Sequence, residues 1–297
     1  MSKNKKTVFE GAAVAIVTPF TNDKLDYEQL GKIIDFQIDN GTDAIVVCGT
    51  TGESSTLTDE EHVEAIAYTV ERVAKRVPVI AGAGSNDTRY AVWLSREARR
   101  AGADALLQVT PYYNKATPKG LIRHFTAIAD ATDIPNILYN VPSRTGCNIT
   151  LPVYKELAKH PNIVATKEAS GNLSAIAQIV DECGDDLDVY SGNDDQIVPI
   201  LSLGGKGVIS VLSNVMPKET HDICQLYFDG KVKESAQLQV KLLELINNLF
   251  IEVNPIPVKT AMALMGYCEN SLRSPLTEME PEHEAKLAAI MKDLGLI

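Results

Sequence analysis

The stretch AIVVCGTTGESSTLTDEEHVEAIAYTV, residues 44–70, changes character twice. Residues 44–48 are continuously apolar and rich in β-branched side chains, which suits a strand buried on both faces. The segment GTTGES, 49–54, interrupts that run with glycines and hydroxyls, the residues of a tight turn. Thr58 followed by Glu61 is a capping-box pair, and Val63, Ile66, Val70 and Val73 then recur at helical spacing. A buried strand, a polar turn and an amphipathic helix make one β/α unit.

That unit repeats along the chain. Apolar runs at 13–17, 44–48, 77–83, 105–109, 136–141, 163–167, 187–191 and 207–211 begin 20 to 33 residues apart. Helical patterns lie between most of them; one starts at Asp26, with Gln29 three residues on and Leu30, Ile33, Ile34 and Ile38 on one face. Eight strand–helix units predict an α/β fold of the (β/α)8 TIM-barrel type, with a doubly wound open sheet as the competing arrangement. After residue 215 the strand signal stops, and helical patterns at about 218–251, 256–267 and 280–294 remain. The expected organisation is a catalytic barrel over 1–229 and a C-terminal helical appendage over 230–297.

Composition narrows the function. Of 297 residues, 45% are hydrophobic and 23% charged, enough apolar material for a large core. The formal net charge of −11 argues against a nucleic-acid or anionic-membrane partner, which would need a basic face. Cys48, Cys147, Cys183, Cys224 and Cys268 are dispersed, with no CxxC pair, as expected of reduced thiols in a cytoplasmic protein. The five histidines show no HExxH spacing, so no metal site is expected. The opening MSKNKK before GAAVAIV mimics a signal peptide, but Glu10 interrupts the approach and the apolar run is short; it reads as a first strand.

Chemistry in such a barrel sits at the C-terminal strand ends. There the sequence places Thr18, GTTGES, GAGSND (82–87), TPYYN (110–114), YNVPSRTG (139–146), Lys167–Glu168 and SGNDD (191–195). Lys167 closes the run IVATK, and strand alternation puts Ile163, Ala165 and Lys167 on one face. A lysine pointing into the barrel loses solvation and its pKa falls, which suits a base or a Schiff-base nucleophile; at an exposed strand end it would merely pair with Glu168. Tyr139, at the end of another strand, is either a proton relay or an aromatic plug. GTTGES lacks the order of a nucleotide P-loop and suits a small carboxylate instead. Arg144 could grip a carboxylate bidentately. Glu53, Asp194 and Asp195 read as a solvated acidic rim, and no role is evident for Asn254 or the PIPVK segment after it.

Taken in order, GTTGES, TPYYN, YNVPSRTG and KEASGN make the chain resemble the class I pyruvate aldolase and N-acetylneuraminate lyase family from about Gly11 through VNPIPVK (253–259). The likeness is greatest to members that condense pyruvate with L-aspartate 4-semialdehyde, the first step of the diaminopimelate branch to lysine. The resemblance implies that Lys167 forms a Schiff base with pyruvate and that Tyr139, Thr50 and Tyr113 relay protons, Tyr113 from the neighbouring subunit of at least a dimer. It implies that Thr51 holds the pyruvate carboxylate, that Arg144 orients the semialdehyde carboxylate, and that Gly192 and Ile209 offer backbone contacts. No metal or organic cofactor is implied. Arg144 distinguishes this chain from sialic acid and 2-keto-3-deoxy sugar acid lyases, the alternative specificities; a non-catalytic keto-acid sensor would not need Lys167, Tyr139, Thr50 and Tyr113 together. Two positions depart from the family pattern: Asn193 stands where an aspartate is commoner, and Asp59 and Tyr90 replace the histidine and glutamate of lysine-inhibited members, although His62, Asn86 and Tyr112 match that cleft. Weak or absent inhibition by lysine is the consequent expectation.

Overall fold

All eight apolar runs form strands, and the strands close on themselves. The computed structural model describes residues 5–184 and 186–297, so the first four residues of the amino-terminal MSKNKK stretch lie outside the described residues. The barrel strands are β1 (Gly11–Ala15), β2 (Ala44–Val47), β3 (Val79–Gly82), β4 (Ala105–Val109), β5 (Asn136–Asn140), β6 (Ile163–Glu168), β7 (Asp188–Ser191) and β8 (Gly207–Ser210). Each pairs in parallel with its sequence neighbours, and β1 pairs with both β2 and β8. No edge is left, which removes the doubly wound alternative. At the closing seam Gly11 faces Gly207, whose φ is +146°; a Cβ on Gly207 would stand 1.8 Å from the Gly11 carbonyl oxygen. Only glycine fits there.

β1 begins and ends two residues earlier than the apolar run. Ile16 still donates to Val46 O at 3.0 Å, but Val17 N–H turns to the Asn214 side chain at 3.1 Å, so the ladder ends there. The helices match their capping signals. Asp26 accepts from Gln29 N ahead of Tyr27–Asp39, and Thr58 and Glu61 form the reciprocal capping box of Asp59–Val73. The expected helix over 218–251 is three helices, Pro217–Phe228, Val232–Lys241 and Leu243–Asn248, the first ending before Gly230 at φ +79°. Two more follow, Ile256–Leu264 and Pro281–Asp293. Among the described residues no helix is long and apolar enough to cross a membrane.

Alternation divides the apolar side chains into two cores. Ala13, Ala15, Ala44, Val46, Ile80, Ala105, Leu107, Ile137, Tyr139, Ala165, Tyr190 and Ile209 fill the barrel interior. Others, such as Ile45, Val47, Leu106, Leu138 and Val208, pack outward against the helices. On β6 the simple alternation fails at the start. Asn136 and Ile137 of β5 pair with Ile163 and Ala165, which leaves Val164 as an extra, bulged residue on β6; Val164 joins the interior and Ile163 faces the helices. Beyond the bulge Ala165 and Lys167 point inward, as the alternation requires. The amino-terminal end of the barrel is plugged: Phe9 stacks on Tyr190 with centroids 4.3 Å apart, and the Tyr190 hydroxyl donates to Phe9 O at 2.7 Å.

Candidate active site

The opposite end of the barrel is open, and a cavity of about 360 Å³ descends into it. Its lining includes Thr50, Thr51, Tyr139, Arg144, Lys167 and Gly192, brought together from strand ends far apart in sequence. Lys167 sits 6% exposed between Tyr139 and Tyr190, its register partners on β5 and β7. Its Nζ lies 4.4 Å from the centroid of the Tyr139 ring. Among the described residues no carboxylate stands within ion-pair distance of it. Burial pushes the amine down to about 8, an effect opposed by the negative charge of Asp194 and reinforced by Arg144. A neutral amine is therefore accessible near neutral pH.

Glu168 does not partner Lys167. Its side chain points out of the barrel and accepts from the Tyr154 hydroxyl at 2.8 Å, Asn140 Nδ2 at 2.6 Å and the Ser170 hydroxyl at 2.6 Å. The carboxylate is consumed by these donors, and the neighbouring amine is left alone. Gly192 packs against the lysine stem: a Cβ there would meet Lys167 Cε at 3.2 Å and Ala169 Cβ at 2.7 Å. Its N–H is already donated to Glu168 O at 2.7 Å. Whatever Gly192 offers a ligand must come from its carbonyl or its lack of a side chain.

Burial raises the Tyr139 phenol, and the Arg144 charge and a hydrogen bond with the Thr50 side chain oppose that rise. Thr50 and Tyr139 both line the cavity, and the Thr50 side chain is near enough to act on the phenol. In the turn after β2, Gly52 N and Ser54 N donate to Gly49 O and Glu53 N donates to Thr50 O. Among the described residues the N–H groups of Thr50 and Thr51 take no partner in the chain, and they are available to an anion. Arg144 stands on the short helix Pro142–Thr145 and donates from Nη2 to Asn254 O at 3.0 Å.

Two of the sequence-derived residues lie elsewhere. Ile209 is packed in the barrel interior, and Val211, two residues on, reaches the cavity wall. Tyr113 is 92% exposed on a backbone with φ +66° and does not line the cavity. Tyr112 instead lines an adjoining cavity of about 430 Å³ with His62, Tyr90 and Arg144; there the Tyr90 hydroxyl donates to Asp59 at 2.7 Å.

The acidic rim expected from the sequence is largely not a rim. Only Asp195 is exposed; Glu53 and Asp194 are buried. Asp194 Oδ2 accepts from Val211 N at 3.0 Å and Leu212 N at 2.9 Å, while its Oδ1 is buried without a partner. Burial raises its carboxyl, opposed by Ser210, by those amides and by Lys167. The sequence assigned no role to Asn254, whose Nδ2 donates to Thr51 Oγ1 at 3.1 Å, or to Lys259, which is 0% exposed. The signal available was the position of Asn254 and Lys259 in a segment, NPIPVK, far more apolar than its isolated polar residues suggest. Among the described residues no group of three or more His, Cys, Asp or Glu is placed to hold a metal ion.

Comparison with known proteins places this geometry. The 4-hydroxy-tetrahydrodipicolinate synthase of Lachnoclostridium phytofermentans is 60% identical over 98% of this chain and 99% of its own. The dihydrodipicolinate synthase structure from Aquifex aeolicus superposes with a TM-score of 0.96 at 48% identity, over 97% of this chain and 99% of that one. A structure of the Acinetobacter baumannii dihydrodipicolinate synthase complexed with pyruvate matches with a TM-score of 0.96 at 42% identity, over 98% and 100% of the two chains. The model of the dihydrodipicolinate synthetase family matches residues 8–294. This chain belongs to the dihydrodipicolinate synthetase family.

Proposed function

We propose that this chain is a lyase that condenses pyruvate with L-aspartate 4-semialdehyde to give 4-hydroxy-tetrahydrodipicolinate, the entry to diaminopimelate and lysine. The observation that carries the reading is Lys167: a buried amine lowered to about 8, with no carboxylate in ion-pair range among the described residues, in a cavity it shares with a phenol, two threonines and an arginine.

The neutral Lys167 amine adds to the keto carbon of pyruvate, and the carbinolamine loses water to leave an iminium. The iminium draws electrons from the adjacent methyl group, which gives up a proton to form an enamine. The enamine carbon attacks the aldehyde carbon of the semialdehyde, and the resulting alkoxide takes a proton. The amine of the second substrate then adds to the iminium carbon and expels Lys167, closing the ring. One water is lost for each product formed.

Tyr139 exchanges protons at the keto oxygen and the new alkoxide, Thr50 passes them on, and Tyr113 of a second copy of the chain completes the relay. The 92% exposure of Tyr113 is what contribution to a neighbouring copy requires, so the working unit is at least a homodimer. Thr51 and its free N–H hold the pyruvate carboxylate. Arg144, lining both the main cavity and its neighbour, receives the carboxylate of the semialdehyde. Gly192 and the backbone near Ile209 complete the contacts around pyruvate. The free thiols fit a cytoplasmic enzyme.

The test is pyruvate consumption by the purified protein offered L-aspartate 4-semialdehyde, N-acetylmannosamine or glyceraldehyde in parallel. Turnover with the semialdehyde alone is expected. Turnover with a sugar aldehyde would reassign the acceptor and Arg144, and no turnover with any of them would leave a keto-acid sensor.

A further inference from the structure

The segment 253–273 looks like part of an appendage in the sequence, yet it contains a fully enclosed ion pair aimed at the turn that carries Thr50 and Thr51. Lys259, in the helix Ile256–Leu264, places Nζ 2.5 Å from Glu53 Oε1, with the two side chains 0% and 1% exposed. Glu53 ends the GTTGE turn. Its other carboxylate oxygen accepts from Arg273 N at 3.0 Å. Burial lowers the Lys259 amine, and the Glu53 carboxylate opposes that shift, as an ion pair demands. The ring of Phe20 lies between two cations, with Lys259 Nζ 4.1 Å and the Arg273 guanidinium 4.4 Å from its centroid. Arg273 continues outward, donating to both Glu61 oxygens at 2.6 Å and to Thr56 O at 2.9 Å. The turn is therefore held from its own end and from the helix that follows it.

The backbone shows why a hold is needed. Glu53 has φ +53°, a region residues bearing a side chain rarely occupy. Its N–H closes the turn on Thr50 O at 3.1 Å, and Thr18 Oγ1 donates to Gly52 O at 2.7 Å. A change in the placement of Glu53 is passed directly to Thr50 and Thr51. The same C-terminal segment fastens the turn a second time, through Asn254 Nδ2 on Thr51 Oγ1 at 3.1 Å. The Thr50 hydroxyl has to meet the Tyr139 phenol, and Thr51 has to face the ligand carboxylate, so small displacements cost rate.

We propose that Glu53 and Lys259 are positioning residues that fix the hydroxyl turn for proton relay and carboxylate binding, so that the C-terminal helices are part of the catalytic apparatus. The inference rests on the proposed function, because it assigns the turn a part in that reaction. Neither residue touches the reacting atoms. Lys167 stands on a different strand and keeps its own burial without them, so Schiff-base formation and later proton transfer are separable steps.

The experiment uses the full-length protein with the double substitution Glu53→Gln and Lys259→Met, which removes both charges at nearly constant volume, together with Glu53→Gln alone. Steady-state kinetics are compared with the amount of pyruvate trapped on Lys167 by borohydride at saturating pyruvate, per folded molecule by circular dichroism. For the double variant kcat is expected to fall about 10–100-fold with a raised KM for pyruvate, while the trapped fraction stays within about twofold of wild type. Glu53→Gln alone, which keeps the shape of the side chain and one acceptor oxygen, is expected to show the same split at about 3–10-fold. Unchanged kcat in both variants, or trapping lost in step with kcat, would overturn the proposal. Absence of any trapped pyruvate in the wild type would instead sink the proposed function.

Discussion

Among the described residues two lysines are buried, and they stand in opposite circumstances. Lys167, at the end of β6, faces an open cavity with an aromatic ring beside it and, among the described residues, no carboxylate in ion-pair range. Lys259, inside the helix Ile256–Leu264, is wholly enclosed and meets Glu53 at 2.5 Å. Burial lowers both amines, but only the second is compensated by a partner in contact. Desolvation alone therefore does not mark a reactive lysine. Under the proposed function the reactive one is the lysine from which the fold withholds a counter-ion: its neighbour Glu168 is turned outward and occupied by three other side chains.

The largest test of this contrast exchanges each lysine for methionine. Lys167→Met should abolish turnover, by on the order of 10⁴-fold or more, and leave no adduct for borohydride to trap. It should also stabilise the protein at pH 7. A displacement from the ordinary value of 10.5 to about 8 corresponds to roughly 3 kcal/mol of unfavourable desolvation, an upper figure before packing changes. Lys259→Met should destabilise by about 3–5 kcal/mol, because it strands Glu53. Urea denaturation of the two variants beside wild type reads the opposite signs; shifts in the same direction would break the comparison. The pH dependence follows from the same displacement. The folded-state value of Lys167 lies below its unfolded value, so the unfolded chain binds more protons between about pH 8 and 10.5. The contribution of this group to stability is present above that window and lost as pH falls through it, and Lys167→Met should lack that slope.

A smaller effect belongs to Asp194. The charged groups that act on Lys167 are Asp194, which raises its amine, and Arg144, which lowers it, with the phenol of Tyr139 beside them. Asp194→Asn keeps an oxygen for the amides of Val211 and Leu212 but removes the charge. The rising limb of kcat/KM for pyruvate against pH, expected near 8, should move to lower pH by roughly one unit. An unmoved limb would mean that Asp194 is protonated in the enzyme, in keeping with its own raised carboxyl.

The smallest expected effect concerns the adjoining cavity. The Tyr90–Asp59 hydrogen bond lies at the two positions where the sequence departs from the pattern expected of lysine-inhibited members, so lysine at about 1 mM should slow turnover by less than about twofold. An inhibition constant well below millimolar would contradict it.

The barrel was readable because its signals are local and repeated. Apolar runs of strand length recur with capping residues such as Asp26 and Thr58 between them, and each can be recognised within ten residues. That Lys167 and Tyr139 stand at strand ends was readable for a related reason, since a polar residue closing an apolar strand is conspicuous; Thr50 was singled out only by the family resemblance, and what the structure adds is that these residues and Arg144 line one cavity. Glu53, Asp194 and Lys259 were not. A charged residue in a polar stretch looks solvated until its partner arrives, and Lys259 lies 206 residues from Glu53. The bulge beside Val164 escaped for a different reason: it depends on how β5 and β6 align, which neither strand states alone.

One consequence of the Phe9–Tyr190 plug concerns the order of events. With the lower end of the barrel plugged, the cavity is entered from the end where exposed Phe250 and Val253 line it. Lys167 stands deep inside and Arg144 higher up the wall. A keto acid that bonds to the lysine must pass the arginine first, and a second substrate held by the arginine closes the way behind it. Under the proposed reaction the cavity imposes a queue: the first molecule in is covered by the second, and the two come out joined as one product.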